Sequence, residues 1–144
     1  MKFNIRVYGI LIHEEKVLLS DERFRGREFT KFPGGGLEFG EGIKDCLKRE
    51  LKEELNIDVQ VGELLYLTDF FVTSAFNKED QIISVYYYVN SQEIDKIKVS
   101  DIPLNFQNEE HKTEVYRWKN VSELTKEDMT FPIDKLVVDR IKED

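Results

Sequence analysis

Glu50, Glu53 and Glu54 are spaced i, i+3 and i+4, the spacing that gathers side chains on one patch of a helix. At ~100° per residue, with Ile43 at zero, Cys46 falls at about 300°, Leu47 at about 40°, Leu51 at about 80° and Leu55 at about 120°. Lys44, Lys48 and Lys52 fall at about 100°, 140° and 180°, toward the outer side. The acids do not join them: Glu50 lands at about 340°, Glu53 at about 280° and Glu54 at about 20°. Glu54 therefore lies inside the apolar arc, and Glu50 lies beside Cys46. Most charge runs are solvated helix faces, yet here the lysines hold the exposed side. Grouped carboxylates near a core repel, or raise one another's pKa, unless something compensates. A hard, oxygen-seeking cation such as Mg²⁺ or Mn²⁺ is the natural compensation. On geometry alone both readings stand, a solvated acidic face and a cation site.

Just upstream, Gly34-Gly35-Gly36 and Gly40-Glu41-Gly42 bracket the approach to this helix. Such backbone can bend around a phosphate or a metal, although a glycine cluster by itself is equally an ordinary tight turn.

The elements that must position these residues are legible in outline. Ile5–Ile12 and Lys16–Ser20 read as strands joined by a turn at Glu14-Glu15. Residues 21–31 are charged and irregular, with Arg23, Arg25 and Arg27 at alternate positions, and Phe32-Pro33-Gly34-Gly35-Gly36 should break any regular element. The helix spans about Ile43–Leu55. Strand-like runs follow at Ile57–Leu67, Asp69–Ser74, Ile82–Val89 and Glu114–Trp118, with a long connection over residues 91–112 that has room for a short strand. A last helix is expected at about Pro132–Lys142, with Ile133, Leu136, Val137 and Ile141 on one face. Strands flanking two helices predict an α+β layered domain.

Composition bounds the class. The chain has 144 residues, 40% hydrophobic and 12% aromatic, with a net charge of −8. That length suits one domain, 1–144, burying about 69% of its unfolded surface. The acidic balance argues against gripping a nucleic-acid polymer, whose phosphates need Lys and Arg, but a bound divalent metal can still support phosphate chemistry. One cysteine, Cys46, and two histidines, His13 and His111, exclude an internal disulfide and a Cys- or His-rich metal cluster. The N-terminus does not read as a signal peptide and no run approaches a membrane span, so a cytoplasmic domain is expected.

Gly35, five residues, Glu41, seven residues and then Arg49-Glu50-Leu51-Lys52-Glu53-Glu54-Leu55-Asn56-Ile57 resembles the Nudix box, G-x5-E-x7-R-E-U-x-E-E-x-G-U, in which U is a bulky aliphatic residue. The match covers residues 35–57, and Phe32-Pro33-Gly34 before it also resembles the family. One fixed position differs: Asn56 stands where the pattern has glycine. That position follows the helix end, where the left-handed conformation favours Gly first and Asn next, so Asn56 is expected to preserve the cap.

The resemblance implies an α/β/α sandwich with a mixed β-sheet between helices. It also implies Mg²⁺- or Mn²⁺-dependent hydrolysis of a nucleoside diphosphate linked to another group. In such enzymes the carboxylates matching Glu50, Glu53 and Glu54 bind metal, often with the backbone carbonyl matching Gly35. The residues matching Glu41 and Arg49 brace the loop–helix–loop. Glu53 or Glu54 can serve as general base, although some members use a carboxylate of a later loop, where Glu109 and Glu110 lie here.

Side motifs of the family narrow the substrate by subtraction. The proline expected for ADP-ribose, the tyrosine for diadenosine polyphosphates and the nicotinamide-dinucleotide array are all absent, and Leu18-Leu19 is too close to Phe32 for the coenzyme A motif. What remains resembles the compact MutT-type nucleoside-triphosphate pyrophosphohydrolases. Candidate substrate contacts are Arg23, Arg25, Arg27 and Lys31 for outer phosphates, Phe70, Phe71 and Phe76 for stacking on a base, and Glu110. Two further readings differ in class. A nucleotide-sensing domain usually carries a degraded box and a DNA-binding module, neither evident here. An isoprenoid diphosphate isomerase needs a cysteine outside the box.

Overall fold

A computed structural model of the chain describes residues 1–106 and 113–144. The first strand, β1 (Phe3–His13), turns into β2 (Lys16–Phe24) through Glu14 and Glu15, both at positive φ. Such turns match the right-handed twist of an antiparallel pair. A second two-residue turn, Arg25-Gly26, again with both φ values positive, leads into β3 (Arg27–Lys31). The stretch expected to be irregular is therefore a hairpin. Its strand character is hidden because its inner positions are ion-paired and not apolar: Asp21 accepts from Thr30 and pairs with Arg117 at 2.8 Å, while Glu22 meets Lys31 at 2.9 Å.

Gly34–Gly36, expected to interrupt regular structure, forms a short strand, β4, antiparallel to β1. The helix α1 follows (Ile43–Leu55), and its C-cap is Asn56 at φ 56° and ψ 38°, the left-handed conformation, with its N–H on the Lys52 carbonyl. Then come β5 (Gln60–Leu67), β6 (Gln81–Asn90), β7 (Glu114–Asn120) and α2 (Pro132–Glu143). β6 runs parallel to β1 and antiparallel to β5, and β7 runs antiparallel to β2. The strand order is β3-β2-β1-β6-β5, with β4 beside β1 and β7 beside β2.

The mixed sheet lies between the two helices. On one face Val7, Leu11 and Leu18 pack on Cys46, Leu47, Leu51 and Leu55 of α1. On the other, Ile10, Val17, Leu19 and Tyr86 pack on Ile133, Val137, Val138 and Ile141 of α2. Period-two alternation sends Tyr86 and Tyr88 to the α2 side and Tyr87 to the α1 side.

Two expectations need correction. Residues 69–74 form no strand beyond a single bridge, Thr73 to Gln81, and Phe70 and Phe71 point outward. The segment meets β6 and the turn before it only at isolated bonds, from the Thr68 and Ser74 amides to the Ser84 and Asp80 carbonyls and from the Ile82 amide to the Val72 carbonyl. In α2, Leu136 is exposed and Asp134 is buried, because the inward arc is centred on Val137 and Val138. Over residues 91–106, the structure has a three-residue 3₁₀ turn at Ile94–Lys96 and a bridge from Val99 to Tyr116. No helix among the described residues is long and apolar enough to cross a membrane.

Candidate active site

The glycine strand β4 exists to let α1 come close. A Cβ built on Gly35 would lie 2.3 Å from Glu50 Cδ and 2.5 Å from both carboxylate oxygens. Only a glycine leaves that carboxylate room to rest on the strand. The next residue of α1, Arg49, is the hub of the approach. Its guanidinium donates to Glu41 at 2.7 and 2.9 Å, to the Gly36 carbonyl at 3.0 Å and to Glu50 at 3.0 Å, and it reaches Glu53 at 3.4 Å. Glu41 also accepts from the Glu38 amide at 2.9 Å. The Arg49 bonds bring the Glu41 carboxyl down to about 2 and hold Arg49 well above the usual arginine range. Loop 37–42 is thereby tied to the helix. Burial pushes the Cys46 thiol up to about 12, in keeping with a packing role.

The three acids of α1 do not share one environment. The Glu53 side chain is 60% exposed and that of Glu50 is 14% exposed. Glu54 is half-buried, and burial pushes its carboxyl up to about 8, with Lys31 opposing and Glu114, Glu22 and Glu50 adding to the rise. Glu22 and Glu114 face each other directly across β2 and β7. The Tyr116 hydroxyl lies 2.5 Å from Glu114 and 3.3 Å from Glu54, and its single proton serves one of them at a time. Among the described residues no three carboxylate, histidine or cysteine side chains converge as a metal-holding group. The donor set nonetheless fits a hard cation: several carboxylates and a carbonyl, with like charges crowded around a half-buried Glu54.

A cavity of about 640 Å³, within the usual range for small-molecule sites, opens on Glu22 and Glu114, while Glu50, Glu53 and Glu54 are not in its lining. Arg6, Glu22, Lys31 and Glu114 line it, as do Tyr8, Phe29, Phe76, Phe131 and Asp134. Phe76 and Phe131 each stack within 6.1 Å of a neighbouring ring in this wall. Lys31 is buried, with Nζ on Glu22 at 2.9 Å and on the carbonyls of Phe32 and Gly34 at 3.2 and 3.4 Å. Arg23 and Arg25 line the cavity, Arg23 over the Phe106 ring and Arg25 donating to the Phe76 carbonyl at 3.5 Å, whereas Arg27 is outside the lining and donates to the Ala75 carbonyl at 3.4 Å. Phe71 is 70% exposed and does not line the cavity. Glu109 and Glu110 lie outside the described residues.

Glu22, Glu114, Arg6, Tyr8 and Asp134 were not among the residues singled out from sequence. Only the β2–β7 register and the docking of α2 bring them to one place. Asp134 is the deepest. Burial pushes its carboxyl up to about 6 against the Tyr86 hydroxyl, which donates to it at 2.6 Å. A carboxyl that holds its proton more tightly when folded favours the folded state at low pH. That stabilisation is complete below the ordinary value of 3.8 and is lost as pH rises through about 6. Urea melts of the metal-free protein and of Asp134→Asn should show their stability difference moving by about 3 kcal/mol across that window. A difference independent of pH would mean that Asp134 is solvated.

Comparison with known proteins is decided by one match: the NUDIX domain family model covers residues 2–140. The chain belongs to the NUDIX family. The sequence relatives of this NUDIX domain include an mRNA-decapping protein of variola virus, 41% identical over 59 residues, which span 40% of this chain and 22% of that protein. They also include an 8-oxo-dGTP diphosphatase of Haemophilus influenzae, 32% identical over 84 residues, or 56% of this chain and 57% of that protein. The chain thus spans less than two thirds of the length of these relatives. The solution structure of the E. coli ORF135 protein superimposes with a TM-score of 0.73 at 20% identity, covering 99% of this chain and 91% of that one. It shares the same fold, a mixed sheet between two helices.

Proposed function

We propose that this NUDIX domain hydrolyses a pyrophosphate bond in a nucleoside diphosphate linked to another group, with a nucleoside triphosphate as substrate and a monophosphate plus pyrophosphate as products. The observation that carries this reading is the cavity lined by Glu22, Glu114 and Asp134, by Arg6 and Lys31, and by Phe29, Phe76 and Phe131. Such a site suits a nucleotide, whose base seeks aromatic walls and whose phosphates seek cations. The named activity of the Haemophilus relative, on a nucleoside triphosphate, supports the same choice.

Glu50, Glu53, Glu54 and the Gly35 carbonyl are the groups that would hold Mg²⁺ or Mn²⁺. When bound, such an ion screens the diphosphate and lowers the pKa of water. The rest falls to the chain. Glu41 and Arg49 keep loop 37–42 docked, so that Glu50 stays against Gly35. Glu54, beside the Tyr116 hydroxyl, takes the proton of the attacking water; Glu53 faces solvent and pairs with Arg49. The aromatic wall positions the nucleoside and keeps bulk water from it.

The test is a substrate panel with Mg²⁺ or Mn²⁺: nucleoside triphosphates, oxidised purine triphosphates, nucleotide sugars, ADP-ribose and dinucleotides. Monophosphate and pyrophosphate should appear from a triphosphate, and EDTA should abolish both. Cleavage confined to a nucleotide sugar or dinucleotide would keep the chemistry and overturn the substrate. Silence across the panel would replace hydrolysis with nucleotide sensing.

A further inference from the structure

The cations within the cavity are not equivalent. Lys31 has three donor hydrogens and three acceptors within reach, Glu22 and two backbone carbonyls, so its bonding is complete. Arg25 is turned to the carbonyl of residue 76, Arg23 lies over the Phe106 ring, and Lys2 stands at the exposed rim. Arg6 differs. It lies on β1, partly buried, and among the described residues its guanidinium makes one hydrogen bond, from Nε to the Tyr8 hydroxyl at 3.3 Å. Nη1 and Nη2 carry four N–H donors with no hydrogen-bond partner among those residues.

Its position relates it to the carboxylates. Arg6 is paired in register with Gly36, and a Cβ on Gly36 would lie 3.2 Å from Nη1, so the guanidinium lies along the glycine strand. Gly35, the neighbour in that strand, has Glu50 on the opposite face. Glu50 and Glu22 are close enough to help hold Arg6 charged, although burial opposes it. The Tyr8 ring stands under the guanidinium, with the ring centroid 5.9 Å from Cζ, and Tyr8 in turn packs on Tyr86 at 5.1 Å. A planar cation is thus held from one side with its donor edge unspent, in the cavity that Glu22 and Glu114 also line and across the glycine strand from Glu50.

We propose that Arg6 is the phosphate grip of this cavity, its Nη1 and Nη2 donating to non-bridging oxygens of the substrate's diphosphate. The inference rests on the pyrophosphohydrolase reading for its ligand, but not on which nucleoside is attached. Guanidinium suits the task because its planar fork meets two phosphoryl oxygens at once, which an ammonium cannot do.

The deciding experiment is calorimetric binding of methylenediphosphonate, a diphosphate mimic that cannot be hydrolysed, in Mg²⁺. Arg6→Gln should weaken binding about tenfold or more, the scale of a lost charge-assisted bond. Arg6→Lys should fall between it and the wild type. Arg140→Gln, on the exposed side of α2, should bind as the wild type does. In turnover assays the Arg6 loss should appear chiefly in KM. Should Arg6→Gln fail to fold, Arg6→Lys decides, with weakening of about threefold or more expected from the lost fork. Wild-type affinity in a folded Arg6 variant overturns the assignment, and so does an absence of binding by the wild type. Because the probe has no nucleoside, failure of the triphosphate reading would leave this binding intact. Normal triphosphate cleavage with unaltered diphosphonate affinity would sink Arg6 alone.

Discussion

Glu54→Gln should lower turnover by about 10²–10⁴-fold, the usual scale for removing a positioned acid–base group, while leaving the fold intact. The two effects separate because of where Glu54 sits. Burial and the neighbouring Glu114, Glu22 and Glu50 already disfavour its charge, with a carboxyl pushed up to about 8. A neutral amide of the same shape removes that penalty, so the metal-free variant should be at least as stable as the wild type at neutral pH. Tyr116 can still donate to Glu114 at 2.5 Å. The measurements are steady-state kinetics in Mg²⁺ and thermal melting in EDTA. Turnover within a few fold of the wild type would remove Glu54 from the chemistry. Lost stability in the metal-free variant would mean that its charge is held by a partner and not penalised.

Gly35→Ala should be nearly as damaging to turnover, by about 10²-fold, because a misplacement of roughly 1 Å in a catalytic constellation costs that much. The new methyl would stand 2.3 Å from Glu50 Cδ, so the carboxylate must leave the strand. It can leave without unfolding anything, since it is the end of a side chain and Arg49 can follow it. Gly34→Ala is the contrast. There the methyl would meet the Val7 carbonyl oxygen at 2.0 Å and the Tyr8 Cα at 2.7 Å, on a residue at φ 150°. Backbone cannot step aside in that way, so Gly34→Ala should lower the melting temperature sharply and lose activity only as a consequence. Adjacent glycines should therefore fail differently, one in kinetics and one in stability. Equal loss of stability in both would refute a side-chain origin for the Gly35 effect.

The comparison of Glu50, Glu53 and Glu54 with Glu22, Glu114, Arg6 and Asp134 explains what could be read in advance. The first three belong to one helix, and a helix has a fixed period, so their angular positions follow from residue numbers. The half-burial of Glu54, against the exposure of Lys48 and Lys52, was legible for that reason. So was the left-handed cap at Asn56, which depends on one residue and its own backbone. The hairpin beyond Ser20 was not, because Asp21, Glu22 and Lys31 there are charged and answer to partners such as Arg117, far along the chain. A hydrophobic period cannot report a strand whose buried face is made of ion pairs.

The order of residues was enough to specify the helix–loop frame of the box and the side of α1 on which its acids lie, since both rest on local periodicity and local backbone preference. Folding decided the rest. The β2–β7 register set Glu22 opposite Glu114, the β1–β4 pairing laid Arg6 along the glycine strand, and the docking of α2 carried Asp134 to the Tyr86 hydroxyl. These contacts join residues distant in the chain, and their geometry follows from which strands pair and which faces pack. No local pattern encodes that choice.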